Sequence, residues 1–404
     1  MKNQKIYHNE IFVISLLFVV SFGFLLFAIS NLSISFYEAD ILYNEKSLTS
    51  LVANLSCKFF GHNDFALRIP FIFIHFANCI LLYKVSKFML KRRFDRVLSL
   101  ILYMCLPGVL TSAIVVNPAG IVIFITLLIL YFESKNLQIP LFISLFISLF
   151  VDKSFSIFYI CLFLYAAYYR KKELAIASIL LFVSSVIFYE VGTSGKPRGY
   201  FLDTIGIYAA AFSPAVLFIF IYTIYRIWLK DRKNLLWFVV SGTFCLSLIF
   251  SLRQKLELGS LLPFCVISAP LMVRVFLNSY RIRLPEFRKP HKISAVIAIL
   301  FLLISANLII FNQIFYPILF KDKPQKHFIF KYDIIKDLSL KLKKHGIYEI
   351  NCQNYETQLR LKFYGIEKNP NLMLFEDEVD FYDNKIEVRK FGNLADEFYI
   401  KKAF

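Results

Sequence analysis

Two carboxylates, Glu38 and Asp40, stand in the stretch Tyr37-Glu38-Ala39-Asp40 directly after a long apolar run. A carboxylate at the edge of hydrocarbon is costly unless paired or wetted, and a free one can take the proton of an attacking hydroxyl. The same pair also fits ordinary solvated loop residues, and the sequence leaves both readings open. Cations follow further along: Lys153 in Asp152-Lys153, and Arg253 and Lys255 in a cluster closed by Glu257. Such groups suit a phosphate, although a charged turn at a membrane surface would contain the same residues. Glu190 and Asp203 flank a Gly- and Pro-containing loop, and nothing distinguishes them from solvated side chains. His62 and His75 lack partners at ligand spacing, and the acidic run Glu376 to Asp380 reads as a solvated loop. No cofactor is therefore expected, and a divalent metal stays open without a recognisable ligand set to support it. None of the Gly-rich phosphate loops of nucleotide binders is present.

The elements that must position these residues are dictated by hydropathy. Of 404 residues, 58% are hydrophobic and only 18% charged, and the mean hydropathy is +0.61, which excludes a soluble globular enzyme. A net charge of +18 would point to nucleic acid in a soluble protein. Here the charges sit in short clusters between apolar runs, so membrane topology explains them and no nucleic-acid partner is expected. The seven cysteines show no CxxC spacing, and only Cys57 and Cys352 fall in polar segments.

A spanning helix needs roughly 20 apolar residues, and that ruler gives about eleven transmembrane candidates: 11–30, 69–90, 97–116, 119–132, 139–151, 154–169, 174–190, 207–228, 235–251, 259–276 and 293–316. Three of these are short enough to be broken or partly submerged. Basic clusters such as Lys91-Arg92-Arg93 and Arg170-Lys171-Lys172 fall in alternate loops, so the positive-inside rule makes the N-terminus cytoplasmic. An odd number of crossings then puts the C-terminal segment outside. The first run lacks a small-residue cleavage site and reads as retained.

This divides the chain into a membrane domain, 1–318, and an extracytoplasmic C-terminal domain, 319–404. The first external loop, 31–68, carries Leu48, Leu51/Val52, Leu55 and Phe59 at helical spacing, with Ser47 or Thr49 to start the helix and Gly61 to end it. Those features predict an interfacial amphipathic helix over 47–60. In the C-terminal domain Ile334, Ile335, Leu338 and Leu342 predict a helix, 347–352 a strand, 355–364 a second helix, and Asp383-Asn384 a hairpin turn, giving an α/β or α+β fold.

Three segments, Phe59 to Pro70, Pro107 to Pro118 and Ser251 to Pro263, resemble in order those of the integral-membrane GT-C glycosyltransferases of the protein O-mannosyltransferase and aminoarabinose transferase type. The most specific is Phe59-Phe60-Gly61-His62-Asn63-Asp64-Phe65-Ala66-Leu67-Arg68-Ile69-Pro70, which looks like that family's FG-x-[NES]-x-FALRLP segment entering the second helix. Pro107-Gly108 and Asn117-Pro118 are similar to its third and fourth helices, Lys153 falls where many members have a lysine, and the segment from Ser251 to Pro263 looks like its KLPYYLLP element.

The resemblance implies a GT-C-like polytopic fold and a transferase that takes a sugar from a polyprenyl-phosphate donor to an envelope lipid, glycan or protein acceptor at the outer face. It implies Glu38 and Asp40 as the catalytic carboxylates and Lys153, Arg253 and Lys255 at the donor phosphate. Tyr37 stands where the family's loop has an aspartate, and Asn117 where the next external loop has a second acidic residue. The family's His-Pro-Pro element is absent, with Asn44-Glu45-Lys46-Ser47 in its region. Two other classes stay open: a transporter or flippase of lipid-linked glycans, and a catalytically inactive relative that acts as a scaffold. The Lys-, Ile-, Phe- and Asn-rich composition suggests an AT-rich bacterial genome, and with it an inner-membrane location.

Overall fold

The computed structural model describes residues 2–189, 199–254, 257–311, 313, 328–377, 379, 381–390 and 393–402. Its helices run α1 (Lys2–Ser30), α2 (Phe36–Tyr43), α3 (Leu48–Phe60), α4 (Asp64–Met89), α5 (Arg93–Cys105), α6 (Pro107–Ile114), α7 (Ala119–Ser134), α8 (Gln138–Ser148) and α9 (Phe155–Tyr168). They continue as α10 (Lys172–Tyr189), α11 (Phe201–Phe212), α12 (Pro214–Lys230), α13 (Leu235–Ser251), α14 (Leu258–Val266), α15 (Ala269–Ile282) and α16 (Pro285–Ile310). This is a helical membrane protein, but among the described residues fewer helices than the expected eleven are long and apolar enough to cross a bilayer. Four are, Glu10–Ser30, Asp64–Met89, Lys172–Tyr189 and Pro285–Ile310, and the number reaches seven if each of three bent pairs is one span.

The shortfall has two causes. Three of the expected straight spans are broken: α5 and α6 meet at 62°, α11 and α12 at 104°, and the helices on either side of 267–268 at 42°. Prolines explain the first two breaks, because the residue before proline is driven out of the helical region and the ring removes a donor. Leu106 before Pro107 is extended, and Ser213 before Pro214 has φ +70°. Four other expected spans, α7, α8, α9 and α13, are helices of 11 to 17 residues. At 1.5 Å per residue the longest of them covers about 26 Å, short of a core of about 30 Å.

The described chain forms two compact units. The first comprises residues 1–20, 73–113 and 118–309. There α9 packs on α10 and α13, α5 on α15, and α7 on α8 and α14, around a cluster of fully buried rings from Phe155, Phe158, Tyr159 and Phe264. Large apolar side chains such as Ile176, Leu180 and Ile187 of α10 remain exposed, as lipid contact requires.

The second unit comprises residues 21–72, 114–117 and 310–404. It contains α17 (Phe328–Lys344), α18 (Tyr355–Phe363) and four strands, β1 (Asn351–Cys352), β2 (Leu372–Phe375), β3 (Asn384–Lys390) and β4 (Asn393–Lys402). The sheet order is β1-β2-β4-β3, with β1 parallel to β2 and the other pairs antiparallel. Ile334, Ile335, Leu338 and Leu342 form the buried face of α17, as their spacing predicts. The hairpin turn differs from expectation. β3 pairs with β4 up to Lys390 and Asn393, so Asp383-Asn384 does not join them, and 391–392 lie outside the described residues. Asp383 instead sits at the open end of the ladder, where its amide donates to the Ile400 carbonyl and its carboxylate accepts from the Lys402 amide.

Helix α3 begins where its cap predicts, with the Ser50 amide donating to Ser47 Oγ at 3.2 Å and Gly61 following at φ +81°. Its burial is inside out for a water-soluble helix. Thr49, Ser50, Ala53, Ser56 and Cys57 face inward, whereas Leu48, Leu51, Leu55 and Phe59 are exposed, Phe59 at 79%. Large apolar residues outward and small ones inward is the pattern of a helix lying on lipid.

Candidate functional site

The short helix α2 carries Tyr37, Glu38 and Asp40, and a reciprocal cap fixes its start. The Glu38 amide donates to Ser35 Oγ at 3.2 Å, and the Ser35 amide donates to Glu38 Oε2 at 2.9 Å. Glu38 then points inward and is 1% exposed. Arg68, in the first turns of α4 and equally buried, meets it in a bidentate pair: Nε donates to Oε1 at 2.9 Å and Nη2 to Oε2 at 2.7 Å. The Val116 amide donates to Oε1 at 3.0 Å, and Ser35 Oγ donates to Oε2 at 3.0 Å. A carboxylate offers about four lone-pair sites, so five donors leave Glu38 no capacity for a substrate proton.

The same arginine holds the chain that leads into α2. Arg68 Nη1 donates to the Leu32 carbonyl and Nη2 to the Ser33 carbonyl, both at 2.8 Å. Arg360 of α18 takes the next position, donating from Nε to the Ile34 carbonyl at 2.8 Å. The Ile34 amide donates to the Tyr364 hydroxyl at 3.0 Å, and that hydroxyl donates to Asp64 Oδ1 at 2.8 Å. Asp64 also accepts Lys336 of α17 at 2.7 Å. Consecutive backbone groups from Leu32 to Ser35 are therefore fixed by side chains from three other segments of unit 2.

Burial alone would raise the Glu38 carboxyl, but the Arg68 guanidinium and the amides of Ser35 and Val116 outweigh it and hold the group below the usual carboxylate range. Burial pushes the Tyr364 phenol far up, and the Asp64 carboxylate beside it adds to the effect. Because Glu38 is depressed on folding, its contribution to stability is present above its unfolded value of about 4.3 and is lost as pH falls through the lower folded value. Thermal melts of wild type and Glu38→Gln are expected to differ by a constant amount near neutrality and to converge in acid below about pH 4. A gap that persists unchanged into acid would rule this out.

Asp40 differs from Glu38. It is half-buried, accepts from Asn44 Nδ2 at 2.6 Å, and has no cation within ion-pair distance among the described residues. Asn44 Nδ2 also donates to the Tyr355 hydroxyl at 3.1 Å, so α18 steadies the residue that orients Asp40. Tyr37 is 51% exposed on the same helix. Asn117 is half-buried, and its amide donates to the Val115 carbonyl at 2.8 Å, shaping the turn that delivers the Val116 amide to Glu38.

The basic candidates lie in the other unit. Lys153 and Glu257 form an ion pair at 2.6 Å, which joins the two charged turns singled out in the sequence. Asp152 accepts the Ser154 amide at 2.8 Å and closes the first of these turns. Arg253 is exposed in the turn after α13. Lys255 lies outside the described residues, as do Glu190, 191–198 and two of the acidic positions in 376–380. Among the described residues no group of three or more His, Cys, Asp or Glu side chains is placed to hold a metal ion.

Sequence reasoning missed the partners of Glu38. Arg68 entered only as a motif letter, although an arginine four residues after Asp64 at the mouth of a span is itself a signal of pairing. Arg360, Tyr364 and Lys336 carry no local signal. Compared with known proteins, the chain matches no protein-family model and no curated protein.

Proposed function

We propose that this protein is a GT-C-type integral-membrane glycosyltransferase that moves a sugar from a polyprenyl-phosphate donor to an envelope acceptor at the outer face of a bacterial inner membrane. One observation carries the reading. The Glu38–Arg68 pair joins the two segments that the resemblance singles out, the loop at 37–40 and the segment 59–70, and beside that clamp Asp40 keeps a carboxylate without a cation among the described residues. In the proposed step the acceptor hydroxyl oxygen attacks the anomeric carbon and its proton passes to Asp40. The bond from that carbon to the phosphate oxygen breaks, and polyprenyl phosphate leaves with the electron pair. Glu38 and Arg68 position the loop. On the resemblance alone, Lys153, Arg253 and Lys255 are proposed for the leaving phosphate.

The transfer is tested by mass spectrometry of envelope lipids, glycans and surface proteins from cells that lack the gene and from cells restored with wild type or Asp40→Asn. The expected result is a sugar-sized mass lost on deletion and regained with wild type alone. No mass difference on deletion would leave the transport or scaffold readings.

We further propose that the loop at 32–35 and the C-terminal helices lie together on the outer side of the membrane. Direct bonds between them within one unit support this reading. Reporter fusions near Asn31 and after Phe404 are expected to give the same extracytoplasmic signal. Opposite signals would overturn the assignment.

A further inference from the structure

One end of the first unit carries cations and aromatic rings in a closed series. Lys84, near the end of α4, stands 6.0 Å from the Tyr131 ring of α7. The Tyr165 hydroxyl of α9 and the Lys171 ammonium both donate to Glu133 at the end of α7. Lys233, just before α13, stands 5.3 Å from the Tyr168 ring and 5.5 Å from Trp237, and Asn234 returns to Met89 of α4. Amphipathic rings interleaved with long cationic side chains mark a membrane–water boundary.

At this boundary the α7–α8 and α9–α10 turns line a surface cavity of about 410 Å³. Both turns pass through the left-handed region, Asn136 at φ +55° and Arg170 at φ +54°. Arg170 and Lys172 line the cavity, and neither forms an ion pair among the described residues. Lys171 also reaches it but is neutralised by Glu133 at 2.9 Å, and Glu173 adds one carboxylate to the wall. The balance is a single positive charge. Leu141, Phe142 and Leu174 complete the wall. Along the same two helices Ile143 and Phe146 of α8, and Ile176 and Leu180 of α10, are exposed.

We propose that this cavity binds the phosphodiester headgroup of an anionic phospholipid, with its acyl chains running along α8 and α10. A free phosphate would gain nothing from the apolar wall, whereas a lipid uses both parts. One net positive charge matches one phosphodiester, and Glu173 and Asn136 can accept from the hydroxyls of a phosphatidylglycerol headgroup. A zwitterionic lipid would bring its own cation towards Arg170 and Lys172.

The test is native mass spectrometry of the full-length protein in detergent, titrated with phosphatidylglycerol or phosphatidylcholine. Wild type is expected to hold one phosphatidylglycerol in clear preference. The double variant Arg170→Asn/Lys172→Gln is expected to hold it roughly thirty-fold more weakly, at about five-fold per charge removed, with phosphatidylcholine unchanged. Asparagine tolerates positive φ, so the turn should persist, and an unchanged melting temperature verifies that. Glu173→Gln, which removes the opposing carboxylate, is expected to tighten binding roughly five-fold. Equal retention of phosphatidylglycerol by wild type and the double variant would overturn the proposal, and so would its one-for-one displacement by millimolar inorganic phosphate.

Discussion

Arg68→Ala is expected to destabilise the protein by about 3–5 kcal/mol, because it leaves the Glu38 carboxylate buried without its countercharge. Two of the five donors to that carboxylate come from Arg68, and the Leu32 and Ser33 carbonyls lose their partner in the same change. At roughly 2–4 °C per kcal/mol, the melting temperature of purified protein should fall by roughly 6–20 °C. Arg68→Lys should recover part of this, since one ammonium supplies charge but cannot reproduce two parallel bonds to one carboxylate. Pairing Arg68→Ala with Glu38→Gln should be less harmful than the sum of the two, because the stranded charge is gone. A melting temperature for Arg68→Ala within a degree of wild type would sink the clamp.

Under the proposed transfer, Asp40→Asn has the largest expected effect on chemistry, a fall in transfer rate of about 10²–10⁴-fold, the usual worth of a positioned general base. That corresponds to about 2.7–5.5 kcal/mol in the barrier. The substitution is nearly isosteric, and the side-chain oxygen still accepts from Asn44, so the melting temperature should not move. Glu38→Gln should show the opposite signature, a loss of stability and yield with the turnover of surviving protein little changed. Initial rates normalised to folded protein distinguish the two. If Asp40→Asn transfers at the wild-type rate, Asp40 is not the base.

Much of the local structure was legible because caps and periodicity are local. Ser47, Gly61 and the stripe from Ile334 to Leu342 each act within a turn or two, and α3 and α17 follow from them. Span counting failed because a run of apolar residues reports composition and not direction. Pro107 and Pro214 bend their runs sharply, and α8 has 11 residues. The hairpin was misplaced because Asp383-Asn384 has turn chemistry, yet that chemistry serves the end of a ladder. At the site, Glu38 and Asp40 were visible as carboxylates after a span, but the difference between them was not. It rests on partners of Glu38 that lie 30 and 78 positions away along the chain, and the stretch before it is held by Arg360, 326 positions from Ile34, which no window of sequence contains.

Those separations also set a timetable for the molecule. The Ile34 amide waits for the Tyr364 hydroxyl, 330 residues downstream. At a synthesis rate of about 5–20 residues per second, that is roughly a quarter of a minute to a minute after Ile34 itself is made. Until then the polar stretch from Leu32 to Ser35 has only part of its restraints, and a chain that stops short of Arg360 never acquires the rest. Arg360 and Tyr364 thus act as a late seal: a ribosome that falls off before them leaves a membrane-inserted product whose loop at 32–35 was never set.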